Sequence, residues 1–358
     1  MKVLQKIYLS VIAITGLSLA SCEDDFSLNG DYQVEPIVFG LLDHHDDFHT
    51  IKVTKAYLGD GDNLVYAKIP DSNYFSQVDA KIVEYKNESA TGREWTLNDT
   101  IISNKDTTGI FYAPEQKVYG FYESTLDSSC SYKLTIDIEG GAYQVTGETA
   151  LIDKFSVSGQ ILYPLFKVNF APATINDTVD DYTPWNITVN EGKNAALYTY
   201  KYTFNYTEYY TSGGSASFSK TRYNGQEEQH GTADNPGVHI ASFSGYDFYT
   251  WLRSVIPDDD NVDRRTFDGL DLRISVAHQE FYQYLQVGQP VTGIAQVQPE
   301  YTNLKGARGL FSSRLVYELF DFPLNGTSTK ELCTGYYTGH LKFCSQLPEH
   351  ASEWYYCP

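Results

Sequence analysis

The 358-residue sequence is short of positive charge, of cysteine and of long apolar runs. Its 26 Lys and Arg stand against 46 Asp and Glu, a formal net charge of −20 at pH 7. So acidic a surface repels phosphate backbones, which argues against nucleic acid as a partner. Past residue 20 no segment approaches the roughly 20 consecutive apolar residues that a membrane-spanning helix needs. Catalytic signatures are missing as well: there is no G-x-S-x-G elbow, no H-E-x-x-H pair and no phosphate-cradling glycine loop. Carboxylates are abundant, yet nothing singles out two of them as a glycosidase pair. No catalytic residue is assigned, and no cofactor is expected. The five cysteines show no C-x-x-C spacing, so a cysteine-based zinc site is not expected either.

What is present begins at the N-terminus. Lys2 and Lys6 precede an apolar run from Ile7 to Ala20, and Leu19-Ala20-Ser21-Cys22 follows the lipobox pattern of a lipoprotein signal peptide. This predicts a signal peptide over 1–21, cleavage before Cys22, lipid on that cysteine and a tether over 22–32. Each lipid methylene buried in a membrane contributes about 0.8 kcal/mol to attachment. The body left behind has 337 residues and a formal charge of −22, since Lys2 and Lys6 leave with the leader. That length suits about two domains of ~150 residues. Cys130, Cys333, Cys344 and Cys357 remain, and four thiols in an exported chain allow three pairings. Nearness in sequence gives Cys333 with Cys344 a slight preference.

The body reads as mostly β. Val34–Leu42, Phe48–Tyr57, Val78–Lys86, Arg93–Leu97, Gly109–Tyr112, Lys117–Glu123, Tyr132–Ile138 and Ala142–Thr149 alternate or run apolar between turn residues. Asp43–Asp47 and Gly140-Gly141 read as hairpin turns. Close-set strands with no helical period between them predict a β-sandwich of immunoglobulin or transthyretin-like type over 33–152. A second β-rich domain with short helical insertions is predicted over 153–345, then a tail over 346–358. Its strands are Phe155–Leu162, Trp185–Val189, Ala196–Tyr210, Ala216–Tyr223, Leu270–Val276 and Arg314–Phe320. In Ala196–Tyr210, Tyr198, Tyr200, Tyr202, Phe204 and Tyr206 share one face, a pattern of period two that predicts a core-facing row. Phe248, Trp251, Leu252 and Val255 predict a helix capped by Ser244 and stopped by Pro257. Phe281, Tyr284 and Leu285 predict another, and Ser328 is the expected cap of a third.

Three clusters invite a chemical reading. His44, His45, Asp46, Asp47 and His49 have metal-ligating side chains, but adjacent His44 and His45 cannot both point inward, and His49 shares a face with Ile51 and Val53. Asp258, Asp260 and Asp263 resemble the start of a calcium loop without its turn glycine or closing acid, so a solvated acidic loop is the better reading. The 30 tyrosines are the third signal, since their rings can stack on sugars or grip peptides. Tyr209, Tyr210, Trp354, Tyr355 and Tyr356 lie at ends and turns and are expected at the surface.

Two stretches carry a family resemblance. Phe39–Asp43 followed by His49–Asp60, and Pro299–Arg314, are together with the lipobox similar to a family of uncharacterised Bacteroidota outer-membrane lipoproteins, a domain of unknown function with an immunoglobulin-like N-terminal domain. The resemblance implies location and architecture rather than chemistry, and association with TonB-dependent outer-membrane barrels. Glu23-Asp24-Asp25 resembles the acidic signal that sends such lipoproteins to the cell exterior; solvation of a tether accounts for it equally well. Thr100, Thr107 and Thr178 stand in Asp-Thr-aliphatic or Asp-Thr-Thr triplets similar to the O-glycosylation signal of these bacteria. The expected function is a non-catalytic, lipid-anchored surface protein that binds a partner, glycan or peptide beside an outer-membrane barrel. The alternatives are a structural or adhesive surface protein, and a hydrolase without a recognisable signature.

Overall fold

The computed structural model describes residues 34–56, 63–103, 108, 112–174, 181–232, 234–289 and 300–357. The leader, Cys22, Glu23, Asp24, Asp25, Thr107 and Thr178 therefore lie outside the described residues. The chain is mostly β, with a large mixed sheet, a small second sheet and a few short helices. No helix among the described residues is long and apolar enough to cross a membrane.

In chain order the first region comprises β1 (Glu35–Leu42), β2 (Phe48–Ala56), the one-turn helices α1 (Asn63–Tyr66) and α2 (Pro70–Asn73), β3 (Val78–Lys86), β4 (Ser89–Ile102), β5 (Gln116–Tyr122), β6 (Ser131–Ile138) and β7 (Tyr143–Ala150). β4 is the strand that makes it a sandwich. Ser89–Leu97 pairs with β3, and Asn98–Ile102 pairs with β5, so one strand passes from one sheet into the other. The alternation read in the sequence puts Val38, Leu42, Ile51 and Val53 of one sheet against Ile82, Leu134, Ile136 and Val145 of the other.

The second region comprises β8 (Ser156–Ser158), β9 (Trp185–Asn190), β10 (Ala195–Tyr210), β11 (Ser215–Glu228), β12 (Val238–Phe243), α3 (Gly245–Val255), β13 (Val262–His278), α4 (Gln279–Val287), β14 (Arg308–Phe322), α5 (Gly326–Thr334) and β15 (Phe343–Cys344). β11, β10, β13 and β14 form a broad sheet, roofed by the small sheet β12-β9-β8 and by α3. The predicted tyrosine row of β10 is the floor of this core, with Tyr198, Tyr200, Tyr202, Phe204 and Tyr206 all buried. Ser244 caps α3 as expected, accepting from Asp247 N at 3.2 Å. The cap of α5 is Asn325 rather than Ser328: Asn325 Oδ1 accepts from Ser328 N at 2.9 Å, and Ser328 Oγ instead serves Phe170 N at 2.8 Å.

β14 joins the two cores. Its first half lies parallel to β1, from Ile37 opposite Arg308 to Leu42 opposite Ser313, while its second half pairs with β13. Leu304, Ala307 and Phe311 consequently belong to the first core although they follow β8 through β13 of the second region in sequence. The two stretches that carried the family resemblance are thus hydrogen-bonded neighbours. Gly309 has φ +108° and passes so close to β1 that a Cβ there would meet Val38 O. The Asn303 side chain bonds both Phe311 N (3.0 Å) and Phe311 O (2.6 Å). Those residues build a junction.

Candidate functional site

The Asp43–His49 segment is a clasp on that junction. Asp43 is fully buried and accepts from His45 N at 3.0 Å and Val316 N at 2.8 Å. Burial raises its pKa, against the pull of those two bonds. His45 Nδ1 donates to Val316 O at 3.1 Å, and His49 Nε2 donates to Glu123 O at 2.8 Å, so His49 is the satisfied core histidine its strand face implied. The acidic loop does not converge either. Asp258, Asp260 and Asp263 are exposed, and Asp263 pairs with Arg264 at 3.2 Å. Thr100 is half-buried in β4.

The disulfide corrects the sequence expectation. Cys344 bonds Cys357, not Cys333. Cys333 sits on the inward face of α5, where burial pushes its thiol up to about 12. β15 instead runs beside the chain end, which folds back through Ser345 N to Tyr355 O (2.8 Å) and Cys357 N to Ser345 O (2.9 Å). Residues 346–357 are therefore a packed strap. Tyr355 is buried against the second core, contrary to its expected surface position, while Trp354 beside it is 80% exposed. Tyr209 and Tyr210 are half-buried, and Arg264 stacks on the Tyr209 ring at 4.3 Å.

The densest polar constellation was not read from the sequence. It centres on Glu191, the residue after β9, whose side chain is wholly buried. Oε1 accepts from His230 N (2.8 Å), His230 Nδ1 (3.1 Å) and His239 Nδ1 (3.0 Å), and Oε2 accepts from Gly231 N (3.0 Å) and Gly237 N (2.8 Å). The local folding follows from period two. Along β12, His239, Ala241 and Phe243 face inward while Val238 and Ile240 face out, and pairing with β9 sets His239 opposite Val189, two residues from Glu191. The loop before β12 then brings its N–H groups down onto the carboxylate. From the floor of the core, Tyr200 Oη bonds His239 Nε2, and Tyr198 Oη accepts from Gly192 N at 2.9 Å. Burial alone would raise the Glu191 pKa; the backbone N–H groups of His230, Gly231 and Gly237, with His239, outweigh it and hold the carboxyl at about 2. The result is a fixed anion with two imidazole nitrogens aimed at one oxygen. Among the described residues this is the one group of three His, Cys, Asp or Glu side chains whose ligand atoms converge, all lying within 4.8 Å of one another.

A second feature lies at the start of β9. A recess of about 310 Å³ is walled by Ser158, Gln160, Lys167, Asn169, Trp185 and Asn186 among others. Trp185 is 3% exposed, and its indole N–H has no hydrogen-bond acceptor among the described residues. A short 3₁₀ turn over Gln160–Leu162 leads into a bare apolar lip, Leu162, Tyr163 and Leu165, the last of them 91% exposed. The strand expected over Phe155–Leu162 is realised only as Ser156–Ser158, and this turn takes its place.

No family model matches the chain, and no curated relative matches it. Among solved structures, the C-terminal globular domain of an oligosaccharyltransferase from Pyrococcus abyssi is similar at 12% identity with a TM-score of 0.22. The match covers 68% of this chain and 45% of that one, so the chain spans under half of that structure's length.

Proposed function

We propose that the protein is a non-catalytic binding protein tethered by lipid on Cys22 to the outer membrane and facing the cell exterior through Glu23-Asp24-Asp25. In this reading it acts beside a β-barrel of the TonB-dependent kind, and its first sandwich is the immunoglobulin-like domain of the lipoproteins it resembles. The observation that carries the binding role is the Trp185 recess. Trp185 lines the recess, and its buried indole N–H has no acceptor among the described residues, a gap that costs about 1–3 kcal/mol where nothing pairs it. Around it the Gln160 and Asn186 amides can each donate and accept, the Asn169 oxygen already accepts from Ala171 N (3.2 Å) and Ser328 Oγ (3.4 Å), and Lys167 is the single charge on the wall. Amides over an aromatic base suit a neutral polyhydroxylated ligand such as a glycan, which the acidic body does not repel.

A glycan array probed with the purified chain and with the Asn186→Ala and Gln160→Ala variants tests this. The rim residues are exposed, so the variants keep the fold. The reading expects binding to a restricted set of neutral glycans that both variants weaken. Absence of any glycan signal, or equal binding by the variants, would overturn it. Protease added to whole cells tests the placement, since a chain protected until lysis is not on the outside.

A further inference from the structure

We infer that Glu191, His230 and His239 are the protein ligands of a divalent transition-metal ion, with zinc the best match. A carboxylate oxygen offers about two acceptor sites, and the pair of oxygens about four. Glu191 receives five N–H donors, three of them on Oε1. That oxygen is over-subscribed. A cation seated among Oε1 and the two Nδ1 atoms removes the conflict, because both imidazoles then present lone pairs to the ion instead of competing N–H groups to one oxygen.

The spacing agrees. Ligands held about 2.0–2.1 Å from a tetrahedral ion stand roughly 3.3 Å apart. The observed separations from Oε1 are 3.1 Å to His230 Nδ1 and 3.0 Å to His239 Nδ1. The donor set is chemically apt, since imidazole with carboxylate suits zinc among the first-row ions. The surroundings supply what a ligand set needs from its neighbours. Tyr200 Oη sits on His239 Nε2 and can accept a hydrogen bond from the N–H that this nitrogen carries when Nδ1 is the ligand. Gly231 N and Gly237 N hold Oε2, which leaves Oε1 for the ion.

Binding needs no net loss of protons from neutral imidazoles. Each proton moves from Nδ1 to Nε2, on His239 toward Tyr200 and on His230 toward water. The His230 side chain is 54% exposed and the Glu191 side chain 0%, so the ion enters past His230 and its fourth position faces solvent. Three protein ligands and one open position is the pattern of a zinc site that can take a further ligand.

The test uses the full untagged chain, chelator-treated and held in detergent. Zinc is titrated in by competition with a chromophoric chelator, and cobalt is used separately for its visible absorption. The expected result is one ion per chain, a four-coordinate cobalt spectrum, and at least about tenfold weaker binding in His230→Ala, by comparison with the 10–100-fold that losing even an outer-shell partner costs. His230 is exposed, so its variant keeps the fold, which an unchanged circular dichroism spectrum verifies. A double variant His44→Ala/His45→Ala should bind as tightly as the parent. The inference is overturned if the parent binds neither ion at one equivalent, if His230→Ala binds as well as the parent, or if the His44/His45 variant is the one that loses the site.

Discussion

The two cores solve the same packing problem with different side chains. In the first, two sheets face each other and aliphatic residues fill the gap: Val38, Leu42, Ile51, Ile82, Leu134 and Ile136. In the second, a broad sheet is roofed by a three-stranded sheet and a helix, and rings do the filling. Phe204 lies 5.9 Å from Phe248, and Phe248 stacks on Phe170 at 4.3 Å. Tyrosine brings apolar area together with a hydroxyl that must be paired when buried. Tyr198 takes Gly192 N, Tyr200 takes His239, and Tyr249 donates to Ser328 O at 2.9 Å. Burial raises the pKa of each of these hydroxyls. The abundance of tyrosine is thus mainly a property of one core. A core built from such rings also carries buried polar and charged groups, and these are where it can be broken.

The largest effect is expected at Arg265, which is 0% exposed at the edge of the second core. It donates to Glu208 Oε1 (2.9 Å), Leu341 O (2.6 Å) and Pro257 O (2.9 Å). Arg265→Ala leaves a nearly buried carboxylate and two carbonyls without this partner and should cost about 3–5 kcal/mol in urea unfolding. The double change Arg265→Met/Glu208→Gln should recover much of that loss. If it does not, the guanidinium acts by filling space, as an aliphatic side chain of the first core does.

Acid should separate the junction from the Glu191 cluster. Burial lowers the His278 pKa from 6.5 to about 4. The folded chain then favours neutral His278, and the unfolded chain binds the proton more readily. Stability from this group is complete above pH 6.5 and is lost as pH falls from 6.5 to 4, by about 3 kcal/mol. Glu191 is depressed from 4.5 to about 2, so its contribution is present above pH 4.5 and is lost between 4.5 and 2. Urea midpoints measured from pH 7.5 to 2 should fall in two stages. His278→Asn keeps an acceptor for Glu280 N at the start of α4 and should flatten the first stage only.

Much of this architecture was legible and the cluster was not, for one physical reason. The row Tyr198–Tyr206 and the helix Phe248–Val255 are stretches in which the period is local, so the pattern alone turns the side chains inward. Glu191, His230 and His239 come from two strand ends and a loop, and they meet only through the β9–β12 register. β12 itself is six residues long with Val238 and Ile240 exposed, so apolar residues on its outer face hide the alternation. The return of Leu304 and Phe311 to the first core depends on parallel pairing with β1, which no local period encodes. The disulfide was missed because both candidate partners of Cys344 are close in sequence, and only the inward turn of α5 removes Cys333.

The strap gives the next test of the second core. The Cys344–Cys357 bond closes a separation of 13 residues and holds Tyr355 against that core. Cys357→Ser should cost about 2–3 kcal/mol, as loop-closure entropy predicts for so short a loop. The first core should not register the change, and amide exchange along β6 should stay slow while that along β15 quickens.

The smallest effect discriminates best between the two kinds of packing. Ile136→Val removes one methylene from the aliphatic core and should cost about 0.5–1.5 kcal/mol. Tyr200→Phe removes one oxygen from the ring core and should cost about 1 kcal/mol, the net value of a buried hydrogen bond. The sizes are alike, but the consequences differ. The isoleucine change creates a small void and leaves every polar group paired. The tyrosine change leaves the ring packing alone and takes the partner from His239 Nε2, so its effect should appear in the imidazole nitrogen signals of His239, 39 residues away in sequence. Nitrogen-15 spectra of the two variants measure this. A shifted His239 signal in Tyr200→Phe with an unshifted one in Ile136→Val would show that a ring in the second core acts through its hydroxyl. Equal and small shifts in both would mean that Tyr200 acts as a phenylalanine would, and that the two cores differ in shape but not in chemistry.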